Sequence, residues 1–129
     1  MTLPASSLFD LELDGETLIA TPRRDLGEFS MSRFDEEAPA LLRYWHESAA
    51  RNVVVDFHRT DYFGSTTLGL LVKVYKFVKK RGGKMVICGT SNHEREVFAA
   101  TRLDDLWTIA ATREEALALV LSPHRQSIA

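Results

Sequence analysis

Three hydroxyls stand together in Tyr62-Phe63-Gly64-Ser65-Thr66-Thr67-Leu68-Gly69. Hydroxyls at the start of a helix suit one kind of chemistry: holding, or becoming, a negative group. The first N–H groups of a helix lack carbonyl partners and carry the positive end of its dipole. A phosphate bound or attached there is favoured. Gly64 can turn the chain without steric cost. Ser65 can then cap the helix, its hydroxyl accepting from a free backbone N–H. The competing reading is a serine that only caps, since serine leads the residues used at that position. A Ser/Thr-rich turn after a strand can also cradle a phosphate or a flavin phosphate. The sequence carries no lysine-bearing P-loop and no G-x-G-x-x-G after this strand.

Other groups are weaker candidates. His58, His93, Asp56, Asp61 and Cys88 are the residues that could work in catalysis. Asp56 and His58 share a strand face by alternation, but two ligands do not make a metal site. His93 falls inside a capping box, and His46 sits beside Trp45 in a helical pattern. No nucleophile, base and orienting group come together. The residues therefore read as a non-enzymatic protein with no metal and no cofactor.

The hydroxyl stretch needs a strand before it and a helix after it. Val53-Val54-Val55-Asp56-Phe57 is apolar and β-branched, a strand buried on both faces. From about Thr66 to Arg81 the period is helical. Leu68, Leu71, Val72, Tyr75 and Val78 form one face, with Leu70, Val74 and Phe77 as a shoulder beside it. That arc is wider than one sheet needs, so the shoulder must pack on a neighbouring helix or on a partner. Val54, Leu71, Tyr75 and Ile87 are expected to be buried. The helix has no acid, its bases cluster toward the end, and Gly82-Gly83 stops it.

The remaining elements follow the same logic. Phe9, Leu11 and Leu13 alternate with Asp10 and Glu12, a half-buried strand. Asp14-Gly15 reads as a hairpin turn into Thr17–Ala20, and Pro22 points to an edge or a bulge. Residues 1–7 read as a loose end, and residues 21–33 hold little pattern. Phe34 to Ala50 reads as a helix with Leu41, Leu42, Trp45 and Ala49 on one face, its start nearer Ala38 because of Pro39. Lys84–Cys88 is a buried strand. Ser91-Asn92-His93-Glu94 is a capping box opening a helix with Val97 and Phe98 inward. Leu106–Ile109 is a last strand, and Thr112-Arg113-Glu114-Glu115 a second capping box before Ala116, Leu117 and Val120. The tail after Ser122-Pro123 reads as frayed. Strands separated by helices imply an α/β fold with a mixed, mostly parallel sheet, an N-terminal hairpin and about four helices. Function in such sheets gathers at the carboxyl ends of the strands.

The chain of 129 residues fits a single domain, with an ordered core over about 8–121. Its 45% hydrophobic and 26% charged residues are an ordinary globular composition. No apolar run approaches a membrane span, and no signal peptide is visible, so membrane insertion is not expected. One cysteine, Cys88, in an apolar run points to a reducing cytoplasm. A net charge of −2 speaks against direct nucleic-acid binding. The charge is uneven. Residues 1–50 hold ten acids and four bases, and residues 51–129 hold eight acids and twelve bases. Lys73, Lys76, Lys79, Lys80, Arg81 and Lys84 gather along and just after one helix, as a solvated face or a partner-facing patch.

From Val53 to Val120 the sequence resembles a STAS domain of the anti-sigma-factor antagonist family. The family pattern is an apolar strand ending in Asp, a link, Asp-Ser-Ser-Gly-Leu-Gly opening a helix, Gly-Gly closing it, then an apolar strand. Here it runs V-V-V-D-F, G-S-T-T-L-G-L-L and R-G-G-K-M-V-I-C. Gly27-Glu28-Phe29 resembles the Gly-Glu-Leu of the family's second strand. The acid before the serine is Gly64 here, and the glycine after it is Thr67. The resemblance implies a STAS-like domain that binds an anti-sigma factor, usually a serine kinase of the histidine-kinase-like ATPase fold. It implies release of that partner by phosphorylation at Ser65, with Thr66 the next candidate. The expected binding residues are Gly64, Ser65, Thr66, Thr67, Leu70, Lys73, Val74 and Phe77, for a partner or for a homodimer. The alternative within the family is a STAS module of a stress-signalling assembly or a transporter that is never phosphorylated.

Overall fold

The computed structural model describes residues 9–23, 39, 43–48, 50–61 and 65–121, with Ser65 and Thr66 described in their backbone alone. Expectations for residues 1–7, 24–38 and the tail after Ser122, and for the turn at Gly64, lie outside the described residues. So does most of the helix expected over 34–50, of which residues 39 and 43–47 are helical.

Strand β1 (Phe9–Asp14) and strand β2 (Thr17–Pro22) form an antiparallel hairpin. Asp14 pairs with Thr17, so the turn is Gly15-Glu16, one residue later than the sequence suggests. Gly15 takes the positive φ of 61°. The next strands are β3 (Asn52–Asp56), β4 (Met85–Cys88) and β5 (Thr108–Ala110). The sheet order is β1-β2-β3-β4-β5, parallel from β2 onward. Pro22 is tolerated in β2 because the parallel ladder to β3 covers only Thr17 to Ala20.

Helix α1 (Ser65–Lys80) follows β3, α2 (Asn92–Ala100) follows β4, and α3 (Arg113–Leu121) follows β5. A 3-10 turn at Leu103–Asp105 precedes β5. The last strand therefore starts at Thr108, two residues beyond the expected Leu106, which is exposed.

Alternation in β3 splits the core. Val53 and Val55 face α1 with Leu18, Met85 and Ile87, joined by Leu71, Val78, Phe98 and Trp107. Val54 faces the other way with Ile19, Val86, Cys88 and Ala110, covered by Ala116 and Val120 of α3. Val54, Leu71 and Ile87 are buried as expected. Tyr75 is only half buried, its ring 6.2 Å from Trp107.

The end of α1 fixes where the helix lies. Gly83 N–H donates to the Val78 carbonyl at 3.0 Å and Gly82 N–H to that of Lys79 at 3.0 Å. That pair, with Gly82 at φ 73°, is a Schellman closure. Gly83 passes so close to β3 that an added Cβ would lie 1.8 Å from the Arg51 carbonyl oxygen. Arg81 turns inward. Its guanidinium donates to the carbonyls of His46, Ser48 and Ala50 and stacks 4.3 Å over Trp45. Arg81 thereby caps the 43–47 segment, and it leaves the basic patch that the sequence suggests.

Candidate interaction site at the carboxyl ends of the strands

The path into the hydroxyl stretch is held by the start of α2. Ser91 caps that helix: its Oγ accepts from Glu94 N–H at 3.1 Å, and Glu94 Oε1 accepts from Ser91 N–H at 2.9 Å. The expected capping box is thus present. It also does a second job. Ser91 Oγ donates to the Asp61 carbonyl at 2.8 Å, and Thr60 Oγ1 donates to Glu94 Oε2. Glu94 is fully buried and accepts from both sides, as a buried carboxylate must. Residues 57–61, the last described before α1, are therefore fixed to α2.

Helix α1 opens at Ser65, one residue earlier than expected. Ser65 thus belongs to the first helical turn and does not stand before it as the cap. The other candidate residues divide. Gly64 lies outside the described residues. Thr67 is 2% exposed, so its hydroxyl is turned from solvent. Leu70 is 4% exposed and lines an apolar crevice with Leu71, Val74 and Trp45. Val74 and Phe77 are half buried against the same core, with the Phe77 ring 6.1 Å from Trp45. The shoulder Leu70, Val74, Phe77 therefore packs on the chain's own 43–47 segment. Lys73 is exposed.

A polar cluster that the sequence reading missed lies on the α3 side. Alternation that turns Val54 toward α3 turns Asp56 there too. Asp56 Oδ2 accepts from Arg113 Nε at 2.9 Å, and Oδ1 accepts from the His58 N–H at 3.0 Å, with His58 Nδ1 also at 3.0 Å. Arg113 reaches onward to Glu12 Oε2 and Thr21 Oγ1, each at 3.0 Å. One guanidinium thus ties the start of α3 to β1, β2 and β3. Burial pushes the Asp56 carboxyl up, but the His58 N–H, Arg113 and the His58 ring together hold it below its ordinary value. Gly89, at φ 70°, makes room: an added Cβ would lie 2.6 Å from Asp56 Oδ1. A signal for this cluster exists in the sequence. An arginine in a first helical turn opposes the dipole, so it needs carboxylates to hold it.

Asp56 and His58 do meet, but Arg113 occupies the other oxygen. Among the described residues no group of three or more His, Cys, Asp or Glu is placed to hold a metal. Burial first, and the Asp56 charge second, push the Cys88 thiol up to about 12, the reverse of an activated nucleophile. Among the described residues no helix is long and apolar enough to cross a membrane.

A mixed sheet entered by an antiparallel hairpin, with a helix opening at Ser65 beyond the central strand, defines a small α/β domain of the STAS type. The STAS domain family model matches residues 11–116, and the chain belongs to that family. It is 32% identical over 83 residues to BtrV of Bordetella bronchiseptica, which carries the name of an anti-sigma factor antagonist; the match covers 64% of this chain and 72% of BtrV. The fold is shared with an anti-sigma-factor antagonist (STAS) domain protein of Planctomyces limnophilus, with a TM-score of 0.77 and 22% identity over 88% of this chain and 98% of that one. It is shared too with the Bacillus cell fate determinant SpoIIAA in its phosphorylated form, with a TM-score of 0.64 and 24% identity over 87% and 98% of the two chains.

Proposed function

We infer that this chain is an anti-sigma-factor antagonist. It binds a kinase-fold anti-sigma protein through the start of α1, in the cytoplasm and without catalysis of its own. Phosphorylation at Ser65, or at Thr66 beside it, releases that partner. The observation that carries this reading is the position of Ser65: it stands at the first residue of α1, the helix that follows the central strand. Membership of the STAS family and the likeness to BtrV support it.

A phosphate there adds ~1.5–2 negative charges at the positive end of a helix. The helix tolerates it; a partner surface docked closely against a neutral serine does not. Gly64 in place of the family's acid favours a second reading, a STAS binding module without the phosphate switch. The test uses the kinase-fold anti-sigma proteins of the organism that encodes the chain, each purified and mixed with it in the presence and absence of ATP. The switch reading expects one to bind, and a phosphate to appear on Ser65 or Thr66 by mass spectrometry. Binding without modification supports the second reading. No binding to any of them overturns the anti-sigma reading.

A further inference from the structure

We propose that α1 presents a docking line, Gly69, Lys73, Lys76 and Lys80, to an acidic face of the anti-sigma partner; this rests on the binding reading above. The spacing of four, three and four residues puts these positions on one side of the helix. All four are exposed. Position 65 stands one turn before Gly69 on the same line, so the line continues from the switch end of α1.

Several charged side chains outside this line are paired within the domain. Asp10 pairs with Arg23 and Arg59, Glu12 with Arg113, and Glu16 with Arg51. Arg81 and Lys84 are spent on backbone carbonyls. Among the described residues no carboxylate meets Lys73, Lys76, Lys79 or Lys80. Helix α1 carries no acid along its 16 residues. Like charges three and four apart repel, so the line costs the free helix stability.

Gly69 is the independent observation. Among the described residues a Cβ built on it would meet nothing within 4 Å. None of those neighbours requires a glycine, although glycine is the poorest helix former after proline. A bare helix backbone next to three unpaired lysines suits close approach by another protein surface that supplies carboxylates. The occupant is therefore an acidic protein face. A nucleic acid is disfavoured by the net charge of −2. A membrane is disfavoured because the line has no apolar residue to insert.

The test uses the purified anti-sigma protein that binds in the preceding experiment. Lys73→Glu/Lys76→Glu/Lys80→Glu should weaken it by at least about tenfold, mainly through a slower on-rate that added salt abolishes. Gly69→Ala should raise the thermal midpoint of the free domain yet weaken binding. Lys79→Glu, off the line, should change binding far less. Anionic phosphatidylglycerol vesicles and duplex DNA serve as polyanion probes. Unchanged affinity in the triple variant and in Gly69→Ala, with wild type bound normally, overturns the docking line and leaves the proposed function standing. Vesicles or DNA bound as tightly as the partner also overturn it, by making the line a general polyanion face. Failure of wild type to bind any anti-sigma protein overturns the proposed function, and this inference falls with it.

Discussion

Asp56 and Arg113 show how much one ion pair can organise in this domain. Arg113 meets Asp56, Glu12 and Thr21, so its loss would remove the polar ties between the start of α3 and three strands. The Asp56 carboxyl is held below its ordinary value of 3.8 in the folded chain. A carboxyl depressed on folding adds stability above its unfolded value and loses it as pH falls through the folded one. Stability should therefore fall on acidification below about 3.8, its value when unfolded. Asp56→Asn should cost about 1.5–3 kcal/mol at neutral pH, the range for hydrogen bonds to charged groups, and should flatten that acid limb. Urea titrations of both proteins from neutral to acid pH read both effects; an unchanged acid limb would assign it to other carboxyls. Cys88 gives a second residue-scale prediction. With its thiol pushed up to about 12 and fully buried, it should react with thiol reagents at mildly alkaline pH only as fast as the domain opens. Labelling faster than amide exchange of β4 would contradict it. The burial of Cys88 was legible because it closes an apolar run, whereas the environment of Asp56 was not, since it depends on Arg113, 57 residues further along.

At the scale of elements, periodicity carried far because burial in a sheet has period two and burial on a helix has period 3.6. β3 read as buried on both faces and is, with Val54 and Val55 facing opposite sides. The capping box at Ser91 was legible because both members lie within one turn; its attachment to Thr60 and Asp61 was not, since those bonds join distant segments. The shoulder of α1 was ambiguous for the same reason. A wide apolar arc states that something covers Leu70, Val74 and Phe77 without stating what, and Trp45 covers them. Gly82-Gly83 read as a stop, yet the two glycines do different work. Gly82 supplies a positive φ, whereas Gly83 supplies clearance beneath Arg51. Gly83→Ala should therefore destabilise by about 1–3 kcal/mol or more, as overpacking against backbone does. Gly69→Ala in the same helix should stabilise by up to ~1 kcal/mol, since a methyl there meets no neighbour. Denaturant midpoints of the two variants should move in opposite directions; a common direction would refute the assignment of clearance to one and open space to the other.

For the molecule as a whole, the question is whether a charge at Ser65 reaches the fold or only the surface. The sheet and the Arg113 ties lie outside α1, and the core takes Leu71 and Val78 from further along that helix. Helix α1 is held through Leu71 and Val78 in the core and through Gly82 and Gly83 at its far end. Ser65 lies in the first helical turn, where a negative group is worth ~0.3–1 kcal/mol to the helix. Ser65→Asp should thus leave the unfolding midpoint equal to or slightly above that of wild type. Ser65→Ala should change stability by less than about 0.5 kcal/mol, since alanine is the best helix former and position 65 lies inside α1. A loss of ~0.5–2 kcal/mol on Ser65→Ala would instead mark the serine as the cap of α1. Amide spectra of Ser65→Asp should shift only around the start of α1 and residues 57–61, leaving β4 and α3 unchanged. Binding should respond differently from stability. With folded fractions matched by denaturant titration, Ser65→Ala should hold the anti-sigma protein as wild type does and Ser65→Asp should release it, more sharply at low salt because the opposition is between charges. Equal affinities for all three chains would reduce Ser65 to a helix-start residue. A spectrum of Ser65→Asp disturbed as far as α3 would mean that the charge acts through the fold and not at the docked surface.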